Sequence, residues 1–171
     1  MRPKIGLLAL TLELYETLLP DLRGSRESWL RRAVIPALQR EADVGFSRAV
    51  FRREDIEATV AGFEAGRVDA LLVILLTYSP SQLALPALQR TRLPIVIWNT
   101  QELRAVDQTF TLDNMVDNHG VHGTQDLAHV LTRSGVRFLY VTSLDNDPRS
   151  LGELGDFFAA GHGVEKPVES L

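Results

Sequence analysis

The sequence contains no cysteine, which excludes disulfide bonds and metal sites built on thiolates. It has no apolar run near the roughly 20 residues that a membrane-spanning helix needs. The longest run, residues 70–76, has the length of a buried strand. No basic block is present and the net charge is −4, so neither nucleic acid nor a membrane is expected as a partner. We therefore expect a soluble protein of the cytoplasm, where the absence of disulfides is usual.

A secretion signal is not expected either. Arg2 and Lys4 precede an apolar run at residues 5–10, as in a signal peptide, but Glu13 and Glu16 follow directly. A signal peptide would continue at that point with uncharged apolar residues and a cleavage site. We interpret Lys4–Leu10 as a buried first strand.

Motifs that bind phosphate groups are also missing. Gly6 is followed by no second glycine in the first turn, so the dinucleotide-binding pattern is absent, and no P-loop sequence occurs. The third apolar run ends at Thr77 without an acid, which argues against a response-regulator domain.

The 171 residues do contain an alternation of apolar, strand-like runs with helical patterns. Because 45% of the residues are apolar, the chain can bury the core of one compact domain. The strand-like runs are Lys4–Leu10, Val44–Phe51 (weakly), Ala70–Leu76, Ile95–Trp98 and Arg137–Thr142. The helical patterns are Ser25–Arg40 with a kink expected at Pro36, Arg53–Ala65 ending at Gly66, Ser79–Gln89, and Thr124–Arg133 ending at Gly135.

This alternation predicts a parallel sheet with helices on both faces and right-handed crossovers. The expected fold class is α/β, a three-layer, doubly wound parallel sheet of about five strands, flavodoxin-like or Rossmann-like. We expect residues 1–150 to form this domain. Residues 151–171 are expected to form a final helix up to about Ala160 and then a tail, interpreted as a truncated linker to further domains.

Polar side chains follow the predicted strands at their carboxyl ends, where ligands bind in such sheets. After the third strand come Thr77, Tyr78, Ser79 and Pro80, which can be read in two ways. Ser79 as a helix cap with Pro80 in the first helical position explains the segment as plain capping. Alternatively, Thr77, Tyr78 and the free helix N–H groups face a ligand. Asn99 and Gln101 after the fourth strand could both donate to and accept from sugar hydroxyls.

The densest polar segment is residues 113–126, which holds two of the four histidines, His119 and His122. On a helix these two would share a face, and with Asp113 or Asp117 they could ligate a metal. We favour a neutral imidazole that hydrogen-bonds a ligand. The competing explanation is a helix start capped by Asn118 or Asp117. Gly120 and Gly123 indicate a close approach of the backbone to a neighbour.

Four of these segments, in order, give the chain a resemblance to the N-terminal part of L-arabinose isomerases and L-fucose isomerase-like proteins. The residues that carry it are Leu14-Tyr15, Thr77-Tyr78-Ser79-Pro80, Thr100-Gln101, and Met115 with Asn118-His119-Gly120-Val121-His122-Gly123. The last group is similar to a family pattern that reads roughly M-x-x-N-Q-x-x-H-G. The resemblance covers about residues 4–142.

The resemblance implies an N-terminal domain of an aldose–ketose isomerase. In such enzymes two glutamates and a divalent metal, usually Mn²⁺, act on the open-chain sugar, and both belong to later domains. It therefore implies no catalytic residue and no metal ligand in this chain, and a homo-oligomer in which this domain completes a neighbouring active site. The implied substrate-binding residues are His122, His119, Gln101, Tyr15, Thr77 and Tyr78.

Two positions depart from the family. Arabinose isomerases carry glutamine where Leu12 and His119 align, which puts L-arabinose itself in doubt as the substrate. Two other hypotheses stay open: a stand-alone sugar-binding or regulatory module, and a domain whose main role is oligomer contact. For the leading hypothesis we expect the purified chain to show no isomerase activity, with or without Mn²⁺. Detectable aldose–ketose conversion would contradict it.

Overall fold

The computed structural model describes residues 2–161 of the chain. Its strands are β1 (Lys4–Leu10), β2 (Asp43–Gly45), β3 (Ala70–Leu75), β4 (Ile95–Asn99) and β5 (Leu139–Thr142). Its helices are α1 (Glu13–Leu18), α2 (Leu22–Trp29), α3 (Ile35–Leu38), α4 (Arg53–Ala65), α5 (Ser81–Arg90), α6 (Leu112–Asp117), α7 (Gly120–Arg133) and α8 (Pro148–Gly161). A π-helical turn, Leu30–Val34, joins α2 to α3.

The five strands form one parallel sheet in the order β2-β1-β3-β4-β5. This is the flavodoxin-like order of a doubly wound sheet. The central strand β3 is buried along its whole length, as expected for a strand covered on both faces. The predicted fold class is therefore confirmed.

Alternate residues of the strands build two separate cores. Leu72 and Ile74 of β3 pack with side chains of α2, the π turn and α8 on one face. Leu71, Val73 and Leu75 pack with α4, α5 and α7 on the other face. The period of two in a strand thus divides one apolar run between two helical layers.

The second strand is shorter than predicted. β2 covers three residues, and the chain touches the sheet again only at Val50, in a bridge to Leu10. Between these points side chains of the helical layer bind the backbone, because Glu27 accepts the Ala49 N–H at 2.9 Å and Arg31 donates to the Ser47 carbonyl. The predicted strand Val44–Phe51 was wrong over its middle.

The helix predicted at Ser25–Arg40 is interrupted, but by a π turn. The Ile35 N–H bonds to the Leu30 carbonyl, five residues back, and Pro36 lies in the first turn of α3. A proline lacks the N–H that would continue the α-helical ladder, and the π turn lies directly before it.

The remaining elements lie near their predicted positions. α4 occupies Arg53–Ala65 with Gly66 following as its cap, and α8 reaches one residue past the predicted Ala160. β5 begins at Leu139, two residues later than predicted. Leu151, Leu154 and Phe158 of α8 are buried in the first core. The division at residue 150 stays a prediction, and the tail from His162 onward lies outside the described residues.

Within residues 2–161, no helix is long and apolar enough to cross a membrane.

Candidate functional site

The strand order creates a crevice at the carboxyl ends of β1 and β3. The chain leaves β1 towards β2 and leaves β3 towards β4, so the two crossovers run in opposite directions. At such a switch point the loops separate, and doubly wound sheets bind their ligands there. Here the crevice is flanked by α1, by the turn after β3 and by the start of α7.

Two glycines bring α7 into contact with the end of β3. A Cβ at Gly120 would lie 2.2 Å from the Leu75 carbonyl oxygen and 3.1 Å from Gln101 Nε2. A Cβ at Gly123 would lie 2.5 Å from Leu75 Cδ2 and 3.1 Å from the Ser79 nitrogen. The close approach predicted at these glycines is thus an approach to the protein's own sheet, and it holds the first turn of α7 against the crevice.

α7 begins four residues earlier than predicted, at Gly120, and a short helix precedes it. α6 begins with a capping box, in which the Thr111 hydroxyl accepts the Asn114 N–H and Asn114 Oδ1 accepts the Thr111 N–H. His119 occupies the cap position of α7 and makes no side-chain capping bond. The alternative of a helix capped by Asn118 or Asp117 was therefore wrong.

Four aromatic rings meet at this edge, and we name Tyr15, Tyr78, His119 and His122 the ring cluster. His119 is its centre, since its Nδ1 lies 2.7 Å from the Tyr15 hydroxyl. Its ring stacks on Tyr78 at 5.5 Å and meets His122 edge to face at 5.1 Å. The structure thus brings together four residues predicted separately, from α1, the turn after β3, and α7.

The surroundings of Tyr15 and His119 favour the neutral forms of these two side chains. Burial, followed by the nearby His122, lowers the pKa of His119 below its ordinary value. Burial also raises the pKa of Tyr15. The hydrogen bond between them therefore joins a neutral phenol to a neutral imidazole. When the tyrosine hydroxyl donates to Nδ1, the proton of His119 is on Nε2 and can be donated to a ligand.

Gln101 lies beside the start of α7, against Gly120. Its Nε2 donates to Asn99 Oδ1 at 3.4 Å, and Asn99 Nδ2 donates to Thr142 Oγ1 at 3.5 Å. Both amides are half-buried at the ends of β4 and its loop. They extend the polar edge of the sheet away from the ring cluster.

The turn after β3 is arranged differently from the capping explanation. α5 begins at Ser81, Pro80 takes the cap position without a side-chain bond, and Ser79 is buried. The cap for this helix comes instead from α7, because Asp126 Oδ2 accepts the Ser81 N–H at 3.2 Å. Ser79 as the cap was therefore wrong. Thr77 is 1% exposed and donates to the Tyr78 carbonyl, so its hydroxyl is engaged with the backbone of the turn.

Several hydroxyls beneath this edge have no protein partner. The Oγ atoms of Thr11, Ser79, Ser81 and Thr100 are buried without a hydrogen-bond partner among the described residues. They follow the carboxyl ends of β1, β3 and β4. Unpartnered buried polar atoms are uncommon in folded proteins, so their accumulation at one edge of the sheet marks that edge as polar below its surface.

The metal alternative finds no support in the donor set. Asp117 pairs with Arg26 at 3.7 Å, and Asp113 is exposed in the first turn of α6. In residues 2–161 no three side chains of His, Asp or Glu converge as metal ligands would. The acids of the first turn of α1 are likewise paired, Glu13 with Arg52 and Glu16 with Arg23.

Sequence reasoning missed Arg26, a buried charge next to this site. Arg26 is 8% exposed and pairs with Glu102 at 2.8 Å as well as with Asp117. A signal was present, because Arg26 precedes Trp29 and Leu30 by three and four residues and so shares their apolar face. A charge on the buried stripe of a helix requires a partner.

A second concave region lies at the opposite edge of the sheet. It has a volume of about 640 Å³ and is lined mainly by charged and apolar residues, including Glu64, Arg90, Arg92 and Phe157. None of the predicted site residues lines it.

The chain matches the model of a known protein family. The model of the family described as the L-arabinose isomerase N-terminal domain matches residues 32–168. This range includes Tyr78, Gln101, His119 and His122, whereas Tyr15 precedes it. No curated protein gives a significant match to the chain.

Proposed function

The chain belongs to the L-arabinose isomerase N-terminal domain family, and on this premise we propose that it supplies sugar-contacting residues to an aldose–ketose isomerase whose catalytic groups lie outside this domain. The single observation that carries the proposal is the ring cluster at the crevice between β1 and β3, with His119 hydrogen-bonded to Tyr15. Membership of the family supplies the class of reaction, and the cluster supplies the role.

The chemistry of the cluster suits a neutral polyol. Sugar hydroxyls both donate and accept hydrogen bonds, and the C–H faces of a sugar pack on aromatic rings. The cluster offers both, since His122 is exposed and Tyr78 is half-buried at the same edge.

His122 has the leading role in the proposal. It is exposed on the first turn of α7, where its ring meets His119 edge to face. We assign to it a hydrogen bond to a hydroxyl of the bound sugar, with Tyr15, Tyr78, His119 and Gln101 around it. The buried Thr77 hydroxyl donates a hydrogen bond to the Tyr78 carbonyl. In the proposal this bond fixes the turn that places Tyr78 at the site.

Catalysis itself is assigned to groups outside this domain. Family members of this kind use Mn²⁺, yet the described residues offer no set of three converging ligands for it. These residues therefore do not fit a resident metal, and no step of the proposal runs through one. What the chain does is to bind and orient the part of the sugar that lies away from the reacting carbons.

The test is a titration of the purified chain with a panel of neutral aldoses and ketoses, followed by NMR. We expect weak binding, with a dissociation constant of about a millimolar, and His122→Ala should weaken it by about tenfold, or about 1.4 kcal/mol. The matched control is His129→Ala, which removes an exposed histidine seven residues along the same face of α7. Equal affinities for the His122→Ala variant and the wild type would reject the assigned role.

The same titration separates the main alternative. A stand-alone sugar-binding or regulatory module is favoured by the lack, in residues 2–161, of converging metal ligands. Such a module has a complete site and binds with micromolar affinity. A domain that supplies part of a shared site binds weakly, because the remaining contacts come from elsewhere.

A further inference from the structure

Arg26 is a buried cation whose two carboxylate partners are neighbours in sequence of the proposed sugar-site residues. It lies on α2, is 8% exposed, and shares its helix face with the buried Trp29 and Leu30. A guanidinium stays protonated in a protein, so its burial needs carboxylate partners. Both carboxylate partners of Arg26 lie next to predicted site residues.

The two carboxylates come from segments that carry site residues. Arg26 Nη2 lies 2.8 Å from Glu102 Oε2, and Glu102 follows Gln101 directly in the sequence. The same nitrogen lies 3.7 Å from Asp117 Oδ1, and Asp117 ends α6, two residues before His119. One guanidinium thus joins α2, the loop after β4, and the turn between α6 and α7.

Few other contacts position α6 and the turn that follows it. α6 has no buried residue, so its position does not come from core packing. The turn after it is short, with the His119 N–H bonded to the Val116 carbonyl and the Val121 N–H to the Asn118 carbonyl. The contacts that fix the turn from outside are the Tyr15 bond, the stacking of His119 on Tyr78, the packing of Gly120 on β3, and the ion pair to Arg26.

We propose that Arg26 is a positioning residue, which sets the place of Gln101 and of the ring cluster relative to each other through Glu102 and Asp117. It touches no ligand itself. The inference rests on the proposed function in one respect only, that the site so positioned binds a sugar. The ordering of the turn by Arg26 is a property of the free chain.

The experiment uses Arg26→Met, which keeps an unbranched apolar stem and removes the guanidinium with its charge, and Arg32→Met as the matched control. Arg32 also pairs with Glu102, at 3.1 Å, but its side chain is 68% exposed. Amide hydrogen exchange is measured without sugar at Asn118, His119 and Val121 and, as an internal reference, in β1 and β3. Sugar affinity is then measured by the titration described above.

We expect the hydrogen-exchange rate at the three turn amides to rise tenfold or more in Arg26→Met. The exchange rates of the amides in β1 and β3 should change only as much as the measured change in unfolding free energy accounts for. Sugar affinity falls in the same variant, and Arg32→Met leaves both quantities unchanged. A residue that only stabilises the fold would accelerate exchange in the sheet and the turn together. That outcome, or unchanged exchange at the turn, would overturn the proposal.

A second variant keeps the test decisive if Arg26→Met does not fold. Arg26→Lys retains the charge but lacks the planar fork that reaches two carboxylates. It should give a smaller acceleration, about threefold, at the same three amides, and none there would also overturn the proposal. If the turn loosens as expected while the wild type binds no sugar, the proposed function fails and the positioning role stands.

Discussion

At the scale of single residues, the properties of the site depend on the surroundings of His119. The ring accepts contacts on three sides, from Tyr15 at Nδ1, from Tyr78 on its face and from His122 at its edge. These contacts bury the imidazole in part and place a second imidazole beside it. Both effects disfavour the charged form, which is why the pKa of His119 is lowered.

This shift makes the stability of the chain depend on pH in a defined direction. In the unfolded chain the pKa of His119 returns to its ordinary value of about 6.5. Below that pH the unfolded state binds more protons at this position than the folded state does, so folding stability falls as the pH falls. Above about pH 6.5 His119 is neutral in both states, and its full contribution to the unfolding free energy is present. This contribution is lost as the pH falls from about 6.5 to the lowered pKa of His119 in the folded state.

We predict that the unfolding free energy falls less between pH 7.5 and 5.5 in His119→Gln than in the wild type, because the glutamine side chain does not titrate. Urea unfolding of both chains at a series of pH values measures it. At pH 8 the histidine is neutral in both states, so the difference in unfolding free energy between the two chains there gives the packing effect of the substitution. This difference is subtracted at every other pH. The same decrease of the unfolding free energy with pH in both chains would contradict the account.

At the scale of elements, the site depends on how closely α7 approaches β3. Ala at Gly120 would place a Cβ 2.2 Å from the Leu75 carbonyl oxygen, which is backbone and cannot turn aside. We expect Gly120→Ala to move the first turn of α7 and to cost about 1–3 kcal/mol of unfolding free energy, as overpacking does. Thermal and urea unfolding measure the cost.

The control for this prediction is Gly62→Ala in the last turn of α4. A Cβ there meets nothing within 4 Å, so alanine should be neutral or should stabilise the helix by up to about 1 kcal/mol. Equal effects at the two glycines would show that helix propensity, and not the approach of α7 to the sheet, governs both positions.

Elements with a buried face could be predicted from the sequence, and elements without one could not. α4 and the central strands have regular apolar spacing, and they lie where that spacing predicts. α1 and α6 have six residues each and no buried side chain, so no periodic pattern marks them. α6 is held by a capping box in which Asn114 takes the place of the usual glutamate or glutamine, which hides its signature.

The sequence nominates candidate residues but not their arrangement, and their role stays a prediction. Strand ends of a parallel sheet share one edge, which nominates the segments that hold Tyr15 and Tyr78. His119 was nominated by the dense polar segment around it. The bond between Tyr15 and His119 joins residues 104 positions apart, and no local pattern specifies such a contact. Arg26 was missed because its partners come from the loop after β4 and the end of α6, whose positions depend on the tertiary fold.

At the scale of the whole molecule, apolar side chains surround the site at the surface. Leu14 and Leu18 of α1 are 56% and 62% exposed, and Leu112 and Met115 of α6 are 73% and 46% exposed. α1 and α6 flank the ring cluster, since Tyr15 belongs to one and His119 follows the other. We propose that this apolar rim contacts a second copy of the chain, in keeping with the homo-oligomer that the resemblance to the family implies.

Sedimentation velocity tests this contact. We expect the wild type to self-associate at tens of micromolar, and Leu18→Glu to shift the equilibrium to monomer, because a buried charge in the interface would be unpaired. Tyr140→Ser serves as the control, since Tyr140 is an exposed aromatic on the edge strand β5. A wild type that stays monomeric, or a Tyr140→Ser variant that dissociates as Leu18→Glu does, would contradict the proposal.

The place where a sugar binds on the molecule tests the proposed function most directly. In the NMR titration of the wild type, the account predicts shifts at the amides that follow β1, β3 and β4 and at the first turn of α7, around Tyr15, Tyr78, Gln101 and His122. Shifts confined to the opposite edge of the sheet, at the concave region that Glu64, Arg92 and Phe157 line, would contradict it.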